Sequence, residues 1–340
     1  MNGCNRRVRI LETIRQGKVG GGESHLLSLV KNIDKSIYEP IVLSFTDGPM
    51  IDSLREWGIK VHIIPTERPF NPTVWKKVKH LLNDEGIDIV HVHGTRAYSN
   101  VVWAAKALSI PIIYTVHGWS FHDSLPKIAR KLRIITEKWL VSQADTVISV
   151  SPSDQVTGRN HFGQLESTVI TNGVDLSKFN PSADYKDIRA EYGISKKVTL
   201  LGYIQRVTKQ KDPISMIEAF SLILKQEPTV RLLMIGEGEL KKAAVDKAKE
   251  LNVDSFIYFD DFRQDVPDIL NAIDIYCLPS LWEGLPIGLL EAMAMEKPVI
   301  ATQVDGTKEV IESGKNGLMI KPKDREGLAN ATLLLIKDIC

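Results

Sequence analysis

The chain has 340 residues, of which 43% are hydrophobic and 25% are charged, a composition that indicates a folded globular protein and excludes a disordered or collagen-like chain. Its 43 lysines and arginines nearly balance its 42 aspartates and glutamates, so the net charge does not indicate a nucleic-acid-binding protein. Three widely separated cysteines lack metal-binding spacing, which argues against a disulfide scaffold or a structural zinc site: Cys4, Cys277 and Cys340.

The sequence predicts a cytoplasmic protein with at most peripheral contact to the inner face of a membrane. Several arginines stand near the N-terminus, but the apolar stretch Ile10–Ile14 that follows is too short for the core of a signal peptide. Nowhere do 18 apolar residues follow one another, so no membrane-spanning helix is expected.

Short apolar runs rich in β-branched residues predict strands that alternate with segments of helical period. In the first half these runs are Val8–Ile14, Pro40–Phe45, Val61–Pro65, Asp88–His93, Pro111–His117, Thr146–Val150 and Thr168–Thr171. In the second half they are Val198–Ile204, Val230–Ile235, Phe256–Phe259, Ile273–Leu278, Pro298–Ala301 and Gly317–Lys321, with helices at about 213–226, 239–251, 287–295 and 324–337. This alternation predicts an α/β protein with parallel sheets covered by helices on both faces.

The two halves predict two doubly wound, Rossmann-like domains, residues 1–175 and 176–340. The segment 172–182 is rich in turn-forming residues, and we interpret it as the linker between the two domains. In folds of this class ligands bind at the carboxyl ends of the strands. Residues that directly follow the strands are therefore the candidates for chemistry.

A glycine-rich turn follows the first predicted strand. Gly20 and Gly21 precede a helix at 24–33, and glycines in that position let backbone N–H groups approach an anion at the helix N-terminus. The spacing matches neither the dinucleotide-binding pattern nor the Walker pattern. An ordinary tight turn is the alternative.

Three histidines stand near the ends of predicted strands. His91 and His93 share one face of a strand, and His117 directly precedes a glycine. At a carboxyl edge such a side chain can donate a hydrogen bond or polarise a substrate group. Metal coordination by His91 and His93 is disfavoured because no third ligand follows at a suitable spacing. Simple packing is the alternative for each histidine.

Arg206 and Lys211 lie in the loop after the predicted strand Val198–Ile204. A planar guanidinium and a point-like ammonium together suit a diphosphate. A solvated basic loop is the alternative.

Two carboxylates, Glu283 and Glu291, are eight residues apart around a Gly/Pro-rich turn. Glu283 follows a predicted strand, and Glu291 lies about one turn into a helix whose N-terminus can face a phosphate. Carboxylates accept hydrogen bonds from hydroxyl groups, so the pair suits a sugar-containing ligand. The apolar neighbours of Glu291 mark a buried helix, where an unpaired carboxylate would be costly.

These motifs occur in the order seen in a known family. Over nearly its whole length the chain resembles the retaining glycosyltransferases of family 4, which have the GT-B fold of two Rossmann-like domains facing across a cleft. The E-x7-E pattern of Glu283 and Glu291 is the most specific motif. Weaker matches support it: Gly20-Gly21-x-Glu23, His117-Gly118, Thr171–Asp175, Arg206 with Lys211, and Gly236–Gly238.

The resemblance implies a role for each matched residue. Arg206 and Lys211 would bind the donor diphosphate and stabilise the leaving nucleoside diphosphate, so that no metal or other cofactor is required. Glu291 would hold the ribose hydroxyls. Glu283 would contact the transferred sugar with the backbone of the following loop: Gly284, Leu285, Pro286 and Ile287.

In such enzymes the departing phosphate serves as the base, and no protein nucleophile is implied. His117 would lie against the sugar near the reacting centre. Gly20 and Gly21 would approach the diphosphate or the acceptor from the first domain.

Three features depart from the family pattern. Gln205 stands where a glycine usually precedes the arginine, and Asp305-Gly306 replaces the usual Gly-Gly pair. The chain ends at Cys340, where family members continue into a terminal helix that crosses back to the first domain, so we expect that helix to be missing.

Two basic amphipathic segments, Pro126–Leu140 and Trp75–His80, could rest on an anionic membrane. A solvated charged face is the alternative. The longer segment carries five basic residues: Lys127, Arg130, Lys131, Arg133 and Lys138.

The sequence thus predicts a metal-independent, retaining hexosyltransferase. It would move a sugar from a nucleotide-sugar donor, UDP-linked as most often in this family, to a glycan or lipid-linked glycan in surface polysaccharide assembly. One alternative is a nucleotide-sugar epimerase or phosphorylase on the same fold. Another is a non-catalytic partner subunit or a truncated inactive fragment, which the early end and Gln205 would favour.

Overall fold

The computed structural model of the chain describes residues 6–18, 20–122 and 125–339. Contacts along the backbone divide the chain into two units, Met1–Asn172 and Gly173–Cys340. Each unit is built on one parallel sheet with helices packed against it. The predicted α/β class with two Rossmann-like sheets is therefore confirmed.

The first unit contains a seven-stranded parallel sheet in the order β3-β2-β1-β4-β5-β6-β7. Its strands are mainly apolar because helices cover both faces of the sheet, and the buried side chains form one large core cluster and a smaller one beside the first helix. The strands are β1 Val8–Ile14, β2 Tyr38–Ser44, β3 Lys60–Ile63, β4 Ile89–His93, β5 Ile112–Val116, β6 Thr146–Ser149 and β7 Thr168–Val169. The helices are α1 Gly21–Asn32, α2 Pro49–Glu56, α3 Pro72–Asp84, α4 Thr95–Ala107, α5 Lys127–Gln143 and α6 Pro152–Phe162.

The second unit contains a six-stranded parallel sheet in the order β10-β9-β8-β11-β12-β13. Two core clusters lie on its opposite faces, and α12 packs on α8 over one of them. The strands are β8 Leu200–Ile204, β9 Arg231–Ile235, β10 Ile257–Asp260, β11 Ile275–Leu278, β12 Val299–Thr302 and β13 Leu318–Ile320. The helices are α7 Ile188–Glu191, α8 Pro213–Gln226, α9 Lys241–Glu250, α10 Val266–Ala272, α11 Ile287–Ala294 and α12 Arg325–Ile339, with short 3-10 turns at Lys209–Lys211, Asp254–Phe256 and Asp305–Glu309.

Each sheet reverses its strand order once. In the first unit the chain builds outward from β1 to β3 and then returns to place β4 on the other side of β1. The second unit repeats this between β8 and β11. The loops at such a reversal run in opposite directions and leave a crevice at the carboxyl ends of the strands.

The predicted strands all form, and their ends differ by at most two residues from the sequence pattern. The run Pro111–His117 ends as a strand at Val116, so His117 lies just beyond the sheet. Cys277 is a buried free thiol in β11, while Cys4 and Cys340 lie outside the described residues. Among the described helices none is both long and apolar enough to cross a membrane.

Candidate functional site

A cluster of histidines and one carboxylate lies at the strand reversal of the first unit. His91 and His93 end β4, and Glu12 lies beside them in β1, where its Cα pairs with that of His91. The carboxylate oxygen Oε2 of Glu12 is 2.9 Å from Nδ1 of His91 and 2.9 Å from Nε2 of His93. Glu12 and His93 are both buried, so this contact is shielded from water.

His117 extends this cluster from the end of β5. Its Nε2 lies 3.1 Å from Nδ1 of His93. The ring of His25, from α1, meets the ring of His117 edge-on at 4.8 Å between centroids. Gly118 follows with φ of 106°, a backbone conformation that favours glycine, so the chain turns away and the imidazole stays at the edge of the sheet.

The cluster places an ionised carboxylate among buried imidazoles. Burial opposes the charge of Glu12, but electrostatic attraction to His91 and His93 and the hydrogen bonds from these two rings hold its pKa far below the usual range. Burial lowers the pKa of His93 to about 4 and also lowers the pKa of His117 and His25. These three rings are therefore uncharged at neutral pH and can accept as well as donate hydrogen bonds.

Glu12 and His25 were not predicted as site residues. Glu12 is a single carboxylate inside an apolar strand, and only the strand register brings it beside His91 and His93. No sequence spacing marks it as a third ligand for these two histidines, and metal coordination stays untested. Two sets of three side chains each bring their ligand atoms within 4.8 Å: His25, His93 and His117, and Glu12, His91 and His93.

The glycines predicted to approach an anion lie at the N-terminus of α1. Gly20 precedes the helix, and its carbonyl accepts a hydrogen bond from the backbone N–H of Ser24 at 2.9 Å. A Cβ added to Gly21 would have no atom of the described residues within 4 Å, so the space beside this glycine is open. Anion binding there stays a prediction.

A charged cluster lies at the strand reversal of the second unit. Lys211 forms an ion pair with Glu283, and their side chains are only 13% and 6% exposed. Gln210 supports the pair, because its amide nitrogen donates to the Trp282 carbonyl at 2.9 Å. Its amide oxygen accepts from the Arg206 guanidinium at 3.3 Å. The fold thus brings Arg206, Lys211 and Glu283 together from segments more than 70 residues apart.

The two cations of this cluster differ in their surroundings. Lys211 is already neutralised by Glu283, whereas Arg206 makes its only side-chain hydrogen bond within the described chain to an uncharged amide. Arg206 therefore has its full charge available for an anion, whereas an anion at Lys211 must compete with Glu283.

Glu291 lies one turn into α11, which begins at Ile287 after the loop of Gly284, Leu285 and Pro286. Burial raises the pKa of Glu291 to about 7, and the charge of Lys178 acts in the opposite direction. Ligand hydroxyl groups that donate hydrogen bonds to Glu291 would stabilise its ionised form.

The loop that starts at Gly284 touches Gly306 directly. A Cβ at position 306 would lie 1.2 Å from the carbonyl oxygen of Gly284. The Asp305-Gly306 pair therefore keeps a glycine at the position of close backbone approach.

Residues 19–178 match the family model described as Glycosyltransferase Family 4, and residues 184–339 match the model described as Glycosyl transferases group 1. The chain is 27% identical over 304 residues to the UDP-Gal:alpha-D-GlcNAc-diphosphoundecaprenol alpha-1,3-galactosyltransferase of Escherichia coli, covering 86% of this chain and 78% of that protein. It is 28% identical over 280 residues to the N-acetyl-alpha-D-glucosaminyl L-malate synthase of Bacillus anthracis, covering 79% and 71%. The crystal structure of Anabaena HepE in complex with UDP-glucose has a TM-score of 0.85 at 23% identity, covering 98% of this chain and 91% of HepE.

Replacing Gly306 with alanine tests the close contact with the loop of Gly284. The added methyl group would lie 1.2 Å from a carbonyl oxygen, so we expect a loss of about 2 kcal/mol or more and a fall in Tm of roughly 5 °C. Gly173→Ala is the control, because a Cβ there has no atom within 4 Å. Equal Tm values for the two variants, measured by calorimetry, would contradict the contact.

Replacing Glu291 with glutamine tests the raised pKa of its carboxyl group. Because the folded pKa of about 7 exceeds the ordinary glutamate value of 4.5, folding favours the protonated form, and this contribution is lost as the pH rises from about 4.5 to 7. We expect Glu291→Gln to unfold with equal free energy at pH 4 and to be more stable at pH 8, by on the order of 3 kcal/mol.

Urea unfolding of the Glu291→Gln variant and the wild type across pH 4 to 8 measures this difference. Parallel stability curves for the two proteins would show that Glu291 does not titrate in this range. Glu296→Gln is the control, since this glutamate at the end of α11 is exposed.

Proposed function

Because the chain belongs to the family-4 glycosyltransferases and has their GT-B fold, we propose that it is a retaining transferase that uses UDP-linked sugars. Its acceptor is a glycan or a lipid-linked glycan of a surface polysaccharide. The reaction uses no metal cofactor in this proposal, because protein cations take up the charge of the leaving group.

The charged cluster at the strand reversal of the second unit carries the proposal. A nucleotide sugar presents a diphosphate beside a sugar and a ribose. Arg206 and Lys211 offer a guanidinium and an ammonium for the diphosphate, and Glu283 and Glu291 offer carboxylates for hydroxyl groups. A nucleotide sugar can therefore engage all four side chains.

Donor binding proceeds by an exchange of partners. The diphosphate competes with Glu283 for Lys211, which frees the Glu283 carboxylate to accept hydrogen bonds from the sugar. Arg206 contributes its charge without such an exchange. The cations then act most strongly on the negative charge that grows on the leaving diphosphate in the transition state.

Retention of configuration without a protein nucleophile is consistent with the contacts of Glu283. Glu283 is engaged either by Lys211 or by sugar hydroxyls and is a weak nucleophile in both states. We propose that the departing diphosphate takes the proton of the acceptor hydroxyl, which then attacks the same face of the sugar. His117 lies against the sugar in this proposal.

The names of two relatives support the choice of donor and acceptor. The Escherichia coli relative is named for UDP-Gal and for an acceptor linked to diphosphoundecaprenol. HepE was crystallised with UDP-glucose. A UDP-sugar donor and a lipid-linked acceptor are therefore the first pair to test.

The surface of α5 supports peripheral binding to an anionic membrane, where lipid-linked acceptors reside. Ile128, Leu132 and Ile135 are 78%, 60% and 56% exposed, and their spacing places them on one face of the helix. Exposed lysines flank this apolar face: Lys127, Lys131 and Lys138. Apolar side chains bordered by lysines are typical of helices that lie in a membrane interface.

The donor proposal predicts a selective response to UDP. A ligand at about 100 times its Kd adds roughly 2.7 kcal/mol of stability, so UDP should raise the Tm by several degrees while GDP and ADP at equal concentration should not. Lys211→Ala should abolish this shift, and Lys209→Ala, an exposed lysine in the same 3-10 turn, should keep it.

Release of UDP from UDP-glucose or UDP-galactose, with a diphosphoundecaprenol-linked sugar as acceptor, measures catalysis in the same proteins. Nuclear magnetic resonance of the product then gives the anomeric configuration. Full activity of Arg206→Ala and Lys211→Ala would refute the assignment of the clamp. A nucleotide shift without any transfer would favour a non-catalytic subunit, and an altered sugar without transfer would favour an epimerase.

The membrane proposal predicts co-sedimentation with vesicles that contain phosphatidylglycerol and not with vesicles of phosphatidylcholine alone. Replacing Ile128, Leu132 and Ile135 with serine should abolish binding, because the apolar contact is lost. A matched triple variant changes three exposed apolar residues elsewhere to serine: Val156, Leu176 and Leu334. Equal binding of the two variants would refute a role for α5.

A further inference from the structure

We infer that Glu12 and His93 are positioning residues that fix His117 in one tautomer, with a proton on Nε2 and a free lone pair on Nδ1. The inference starts from a chain of contacts that runs from a buried carboxylate to the outermost imidazole. Its meaning for the reaction rests on the proposed function, whereas the tautomer itself does not.

The first step is at Glu12. Its Oε2 lies 2.9 Å from a ring nitrogen of His91 and 2.9 Å from a ring nitrogen of His93. An ionised carboxylate can only accept hydrogen bonds. Both facing nitrogens, Nδ1 of His91 and Nε2 of His93, must therefore carry protons.

The second step is at His93. A neutral imidazole has one N–H group and one lone pair, so the proton on Nε2 leaves Nδ1 of His93 without one. Nε2 of His117 lies 3.1 Å from this Nδ1. A hydrogen bond at this distance requires His117 to donate, which places its proton on Nε2 and leaves its Nδ1 as an acceptor.

A side branch follows the same rule independently. When His91 carries a single proton, on Nδ1, its Nε2 has a lone pair, and this atom lies 2.8 Å from the hydroxyl oxygen of Thr115. A hydroxyl can donate there without conflict. All four contacts are thus satisfied by one assignment of protons.

The chain has one accessible end. Glu12 and His93 are buried, whereas His117 is partly exposed. Its free Nδ1 can accept a hydrogen bond from a ligand hydroxyl but cannot donate one to a phosphate oxygen. In the proposed reaction His117 therefore recognises a hydroxyl group of the sugar and takes no part in binding the diphosphate.

The same geometry offers a competing arrangement in which a metal ion joins His93 and His117. Metal ligation requires a lone pair on each facing nitrogen. A shared proton between Nδ1 of His93 and Nε2 of His117 excludes that. The two arrangements are distinguishable by direct measurement.

The test is a long-range proton–nitrogen spectrum of the full chain labelled with ¹⁵N-histidine, with His117 assigned by its loss in His117→Gln. We expect a protonated Nε2 and an unprotonated Nδ1 at His117 in the wild type. Glu12→Leu removes the acceptor that fixes His93 and should give a mixture of tautomers at His117. Thr115→Val, on the side branch, should leave the His117 signals unchanged.

Other outcomes would overturn the inference. These are a proton on Nδ1 of His117 in the wild type, an unchanged tautomer in Glu12→Leu, or a stoichiometric metal ion found by elemental analysis and lost in His93→Asn. If Glu12→Leu does not fold, the wild-type spectrum still shows which nitrogen of His117 carries the proton.

Kinetics separates this inference from the proposed function. For UDP release, Glu12→Leu should lower kcat by about tenfold or more, because His117 is no longer held in one orientation. Absence of UDP release in the wild type, with the expected tautomer present, would refute the proposed function and leave the inference standing.

Discussion

The reversal of strand order beside the first strand of each sheet is the constraint on which both candidate sites depend. It forces neighbouring loops apart at the carboxyl ends of β1 and β4 in one unit, and of β8 and β11 in the other. Apolar packing below this edge fixes where the strands end. Polar side chains just at or beyond the edge are therefore held by a rigid support while their outer atoms stay available.

Each site contains a buried carboxylate whose negative charge is opposed by burial, and the two carboxylates differ in how that charge is stabilised. Glu12 remains ionised because two imidazole N–H groups share one of its oxygens. Within the described part of the chain no imidazole donates to Glu291, and burial raises its pKa to about 7. The hydrogen bonds of Glu12 are satisfied without a ligand, so this carboxylate serves to hold neighbouring groups in place. Glu291 lacks such hydrogen bonds from the described residues and is suited to accept them from a ligand.

The sequence was sufficient to predict the strands, because buried parallel strands are continuous apolar runs that local composition marks clearly. It also placed Arg206, Lys211 and Glu283 in loops that follow strands and Glu291 about one turn into a helix. The structure has all four residues in those elements, and their roles stay proposals. What it could not provide was pairing across the sheet. Glu12 lies beside His91 and His93 because of strand register, and Lys211 pairs with Glu283 across 72 positions of sequence. Neither contact corresponds to a residue spacing that can be recognised in the sequence.

The ion pair between Lys211 and Glu283 also bears on how the proposed reaction ends. Once the sugar has moved to the acceptor, Glu283 loses the hydroxyl groups that had replaced its lysine. In the proposed reaction it can then pair again with Lys211, as it does in the ligand-free chain, and so competes with the bound nucleoside diphosphate. The pair thereby weakens the hold on the spent nucleotide more than on the intact donor, and so favours turnover over product inhibition.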